Sequence, residues 1–168
     1  MTDDGIDFVE LLADLVAPPA ARPPGVRWTE VERVLTTPPP GDYQRIVELY
    51  GPGAFDEFLW VLQPMPHPHL GLVENHEVIR RLGMADPNRI DWAMTGNADQ
   101  IAWRIDSSPP DTWPVSVLDS VSEGWVDFAM GAAEFLYKVL GGEIAVGLFA
   151  PDFPSARPTF EPLRLDPS

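Results

Sequence analysis

The chain contains no cysteine, which excludes disulfide bridges and thiolate metal sites and is compatible with a reducing compartment. Basic residues are scarce: eleven lysines and arginines stand against twenty-six aspartates and glutamates, giving a net charge of −15 and a pI near 4.3. A surface of that sign repels nucleic-acid phosphate and anionic membranes and attracts basic proteins. No apolar run approaches the ~20 residues of a membrane-spanning helix. The start "MTDDGIDFVE" is acidic where a secretory signal would be basic. The expectation is a cytoplasmic protein that binds neither nucleic acid nor membrane.

Catalytic signatures are missing as well. No serine sits in a GxSxG elbow, Ser107-Ser108 before two prolines reads as a turn, and no GxxxxGK[ST] phosphate loop occurs. The chain has three histidines. His67 and His69 in "HPH", with His76 beyond, come nearest to a metal constellation. They lie among prolines with no HExxH spacing or fixed carboxylate, so solvated loop histidines are expected rather than ligands. No catalytic residue, metal or cofactor is expected, and the reading is of a non-enzymatic protein.

What the chain does have is material for one core. At 168 residues, 45% hydrophobic, with six tryptophans and eight phenylalanines, it suits a single globular domain. Its 20 prolines gather between apolar segments. Phe8, Leu11, Leu12 and Leu15 recur at helical spacing before Pro18-Pro19. "RWTEVERVL" offers Thr29 and Glu32 as a capping box with Val31, Val34 and Leu35 as its stripe. A third helix places Tyr43, Ile46, Val47 and Tyr50 on one face and stops at Gly51-Pro52-Gly53.

"FLWVL", 58 to 62, reads as a strand covered on both faces, and "HLGLVENHEVIRRLG" as a helix. From residue 89 the period becomes two. Ile90, Trp92 and Met94 point one way in the first strand, and Ile101, Trp103 and Ile105 in the second. Between them "TGNADQ" is a hairpin turn in which Gly96 and Asn97 take the unusual backbone angles and Asp99 faces solvent. Trp113, Val115 and Val117 mark a third strand, and "WVDF" at 125 to 128 a fourth. Trp92, Trp103 and Trp113 stand at equivalent places and are read as core rather than as a platform for a base or sugar. Ala132, Phe135, Leu136, Val139 and Leu140 form the inward face of a last helix ended by Gly141-Gly142. The fold class expected is α+β: N-terminal helices, a central antiparallel meander and a C-terminal helix. Residues 1–24 read as a helix and proline-rich linker, 25–143 as the domain, and 144–168 as a tail.

The segments "RWTEVERVLTTPPPGDYQRIVELYGPGAFDEFLWVLQP", "DWAMTGNADQIAWRI", "DTWPVSVLD" and "WVDFAMGAAEFLYKVLGGE", in that order, resemble the SUKH superfamily, in particular its actinobacterial Smi/Knr-like branch. The resemblance covers about residues 25 to 143. Its carriers are Trp28 opening a helix, a proline before "DYQRIVELYGPG", a tryptophan after the Gly/Asp turn, and "FL" in the last helix. "TTPPPGDY" departs from the pattern, with three prolines where the family usually has one. The resemblance implies a single α+β domain and, in bacteria, frequent service as an immunity protein that neutralises a polymorphic toxin. It carries no family-wide catalytic residues. Many such toxins are nucleases with basic surfaces, so the resemblance and the charge point to the same partner: a basic toxin domain.

Residues 86 to 127 hold eight acids and two bases, a net charge of −6. Asp91, Asp99, Asp106 and Asp111 in this stretch, with Asp56 and Glu57, are the expected docking residues. The rival functions are a regulatory scaffold of the kind that fungal Smi/Knr proteins represent, and a metal-dependent hydrolase built around His67, His69 and His76.

Overall fold

The computed structural model describes residues 5–23, 25–64, 70–84, 86–119, 121–147 and 149–163. In chain order it runs α1 (Phe8–Leu15), α2 (Trp28–Leu35), α3 (Gly41–Tyr50), β1 (Gly53–Phe55), β2 (Leu59–Val61), α4 (Leu72–Arg81), β3 (Arg89–Thr95), β4 (Gln100–Arg104), a 3-10 turn (Pro110–Thr112), β5 (Val115–Leu118), β6 (Trp125–Phe128), α5 (Ala132–Leu140) and β7 (Phe160–Pro162). The seven strands form one antiparallel sheet in the order β6-β5-β4-β3-β2-β1-β7. The fold is α+β and a single domain. Sequential strands are sheet neighbours throughout except β7, which returns to the far edge beside β1.

α1, α3 and α5 pack on one another and cover one face of the sheet. α3 is held there by its aromatic stripe. Tyr43, Ile46, Val47 and Tyr50 are all buried, the Tyr43 hydroxyl donates to the Leu62 carbonyl (2.5 Å), and the Tyr50 hydroxyl donates to the Val16 carbonyl (2.6 Å). The two tyrosines therefore carry apolar rings into the core without stranding a hydroxyl there. α5 buries the five residues expected of it and Ala133 as well. Its Phe135 meets Trp92 of β3 and Phe128 of β6 edge-on. α4 packs against β3 and α2 instead.

Several expectations are corrected. Thr29 and Glu32 make no capping box: Thr29 lies inside α2, whose N-cap is Arg27, with no side-chain hydrogen bond to the cap. In α1 the stripe turns by about one position, so that Val9, Leu12 and then Val16 are buried while Phe8 and Leu15 are half-buried. Its start is set by Asp7, which accepts from the N–H groups of Val9 and Glu10 and pairs with Arg45 of α3 at 2.8 Å. α1 thus belongs to the same core as residues 25–143.

In β3 the register slips between Asp91 and Ala93. Trp92 is the extra residue of this bulge, so Trp92 and Ala93 both face the helices, and Met94 points to the opposite face from Ile90. The segment read as a tail is folded. β7 pairs with β1, Phe149 is buried, and Tyr50, Phe55 and Phe160 form an aromatic triad with centroids 5.0–5.1 Å apart. Glycine at 53 permits this pairing, since a Cβ there would lie 2.4 Å from the Glu161 carbonyl oxygen.

Candidate functional site

Antiparallel pairing places the β1–β2, β3–β4 and β5–β6 turns at one end of the sheet. Gly96 N–H donates to the Phe58 carbonyl (2.8 Å), which ties the first two turns together. Asp56 and Glu57 stand on the first, both with positive φ (52° and 56°). Asp56 accepts from Ser155 N–H (2.8 Å), Ser155 Oγ (3.1 Å) and Thr159 N–H (2.9 Å), and so clamps the C-terminal segment against the turn. That segment brings Asp152 beside Asp56 and Glu57 around a shallow cavity of about 410 Å³ floored by Phe58 and Phe153. Asp119 and Glu123 lie on the β5–β6 turn, where Asp119 accepts from Val121 N–H and Ser122 Oγ. Those hydrogen bonds, Ser122 Oγ first, lower its carboxyl pKa.

The remaining expected docking residues do not join this group. Asp99 belongs to the β3–β4 turn but is buried, 2% exposed, and accepts from Thr95 Oγ1 at 2.8 Å. Threonine and aspartate pin the turn from inside. The left-handed residue there is Ala98 (φ 64°), and neither Gly96 nor Asn97 has positive φ. Asp106 and Asp111 sit at the opposite end of the sheet. Asp106 is exposed and accepts from Ser108 N–H and Oγ in a tight turn, and these bonds, the hydroxyl first, lower its pKa. Asp111 accepts from Gly41 N–H (2.7 Å) and thereby caps α3.

Asp91 lies on the sheet face turned away from α3 and α5, in a cross-strand row with Ala102, Ser116 and Asp127. Burial pushes its pKa up to about 6 against the opposing hydrogen bond from Asn75 of α4. Asp127, at the other end of the row, accepts from Ser116 Oγ and pairs with Arg104 at 2.9 Å; the Ser116 hydroxyl, then Arg104, holds its carboxyl below the ordinary range.

The same face carries a feature that the alternation pattern did not show. Trp60, Met94, Gln100, Leu118 and Trp125 fall in one row across five strands, and all five are half-buried. The row borders the hairpin end. Arg89 lies over the Trp125 ring (4.3 Å to the centroid) and pairs with Asp86 at 2.6 Å. Trp60 and Trp125 could have been suspected from sequence only once the bulge at Trp92 was known, because it sets which face Met94 joins. The tryptophans of the expected core are indeed buried: Trp92 and Trp103 at 0% and Trp113 at 4%.

His67 and His69 lie outside the described residues. His76, on α4, has its pKa lowered by burial and then by Arg80. Among the described residues, no three His, Cys, Asp or Glu side chains are placed to hold a metal ion, and no helix is long and apolar enough to cross a membrane. No family model, curated protein or solved structure matches the chain.

Proposed function

We propose that this chain is a non-enzymatic binding protein, an immunity protein of the type the SUKH resemblance implies, which neutralises a basic toxin domain in the cytoplasm. The observation that carries the reading is the juxtaposition at the hairpin end. Asp56, Glu57 and Asp152 meet there around one cavity, and Asp119 and Glu123 stand on another turn at the same end of the sheet, beside the half-buried row of Trp60, Met94, Leu118 and Trp125. An apolar centre with aromatic anchors and a charged rim is the anatomy of a specific protein interface. Acid on the rim, within a chain of net charge −15, selects a basic partner and speeds its approach. Asp91, Asp106 and Asp111 take no part in this docking face, because the fold employs them elsewhere.

The test is stopped-flow association with the toxin domain encoded beside this gene. The variant Glu57→Gln/Glu123→Gln/Asp152→Asn should associate about 5–10-fold more slowly at low salt, with the difference vanishing near 1 M salt, where the screening length falls to ~3 Å. The control Asp14→Asn/Glu32→Gln/Asp106→Asn removes the same charge from exposed positions elsewhere and should stay close to the parent. Equal slowing of both variants moves docking away from the hairpin end. Absence of binding by any neighbouring product refutes the immunity reading.

A further inference from the structure

We infer that the cavity between α2, the end of α3 and the start of α4 binds a neutral aliphatic molecule carrying one hydrogen-bond donor, the chemistry of an aliphatic alcohol. The cavity, about 360 Å³, adjoins the start of β1 and the end of β2, at the end of the sheet away from the hairpin turns. Its occupancy therefore does not depend on the toxin-binding reading. Its volume falls within the range of small-molecule pockets, which are mostly apolar with a few placed polar groups. Val26 of the proline linker, Val31 and Val34 of α2, Val47 of α3 and Val73 of α4 supply the apolar wall.

The polar group set among these valines is Gln63. Its backbone is fixed from both sides: the N–H donates to the Leu70 carbonyl (2.6 Å), and the carbonyl accepts from Leu72 N–H (2.7 Å). The residue is 2% exposed, and its Nε2 donates to the Val61 carbonyl (2.9 Å). A carbonyl only accepts, so this bond fixes which end of the side-chain amide is nitrogen. Oε1 is left as a lone acceptor. No donor among the described residues reaches it, yet unlike Glu74 Oε1 it is not sealed from solvent, and the cavity is the space it borders. A nearly buried acceptor without a donor is costly, and a ligand hydroxyl would meet it. Charge favours neither sign of ligand. Arg27 and Arg33 stand against Glu30 and Glu74 around the cavity, and Arg27 is already paired with Glu30 at 3.5 Å. An ammonium would have to pass the exposed rim of Arg27, Glu30 and Arg33, which is net positive, and a carboxylate brings no proton for Gln63. An ether or alkane fits the wall but leaves Oε1 unmet.

The probes are hexanol, its isomer methyl pentyl ether, hexylammonium and hexanoate, titrated into the full chain while valine methyl and glutamine side-chain amide NMR signals are followed. Hexanol should give saturable shifts centred on Val31, Val47, Val73 and the Gln63 amide. It should bind about 3–10-fold more tightly than the ether, which has the same size but no donor, and more tightly than either ion. Gln63→Met keeps the length of the side chain and removes the acceptor, so it should abolish the preference for hexanol over the ether while both still bind. Val34→Phe, which fills the wall from a half-buried position, should remove binding of both. The hexanol–ether comparison on the parent chain and the Val34→Phe titration decide the matter if Gln63→Met fails to fold. Equal binding of hexanol and the ether, tighter binding of either ion, a preference for hexanol that survives in folded Gln63→Met, hexanol binding undiminished in Val34→Phe, or no saturable shift with any probe would each overturn the assignment.

Discussion

Trp103 has no exposed surface. It stacks on Trp92 with centroids 5.8 Å apart, meets Tyr43 of α3 edge-on at 5.1 Å, and leaves its indole N–H without a partner. Trp103→Ala should therefore destabilise the fold by about 3–5 kcal/mol in denaturant melts. Trp103→Phe should cost less than half as much, since it keeps the ring contacts and removes an unsatisfied donor. Asp91 makes the pH prediction. Its folded pKa of about 6 lies above the ordinary 3.8, so the fold binds the proton more tightly than the unfolded chain does. Its favourable contribution is fully present below pH 3.8 and is lost as pH rises through about 6. Asp91→Asn, which mimics the protonated acid beside Asn75, should melt higher than the parent at pH 8 and at the same temperature near pH 4. A melting-temperature series across that window decides. The acidic residues also show what residue type leaves open: Asp99, Asp111 and Glu57 look alike in a sequence, yet one pins a turn from inside, one caps a helix and one is solvated. The roles differ because each is set by which N–H or O–H the fold brings within 3 Å.

Helices and strands were legible to different degrees. α3 and α5 bury the residues that their 3.6-residue period selects, because each lays a single face on one layer. β3 breaks its own alternation at Trp92, and β1 and β7 have three residues each, too few for a period to register. Two substitutions test element junctions. Asp42 Oδ2 accepts from Ala133 N–H (2.9 Å) and so caps α5 from α3, although burial raises its pKa. Asp42→Ala should cost about 0.5–2 kcal/mol by thermal or chemical melt. Gly53→Ala would drive a Cβ into the Glu161 carbonyl and the Phe160 ring. Hydrogen exchange should then quicken across β1 and β7 while the β3–β5 amides stay protected, with an overall loss of about 1–3 kcal/mol.

A molecule with net charge −15 repels itself when folded, since compaction brings like charges together. Its melting temperature should rise as sodium chloride goes from 0.05 to 0.5 M, because screening relieves that repulsion. A fall would mean that ion pairs such as Asp7–Arg45 outweigh the repulsion, although exposed pairs contribute little. At this scale the chain's composition and periodicity were enough to determine one domain, the α+β class, three helices before a meander, the buried tryptophans and an acidic surface. These follow from local repeats and from totals, which need no knowledge of neighbours. Only the tertiary structure decided that residues 149–163 close the sheet's far edge, that Met94 joins Trp60 and Trp125 on the open face, and that Asp56, Glu57 and Asp152 meet. Those outcomes depend on strand register and on contacts between residues as far as 103 positions apart, such as Thr159 on Asp56. A side chain's neighbours across a sheet are set by pairing geometry, and a single extra residue at Trp92 reverses the face of every residue that follows it in the strand.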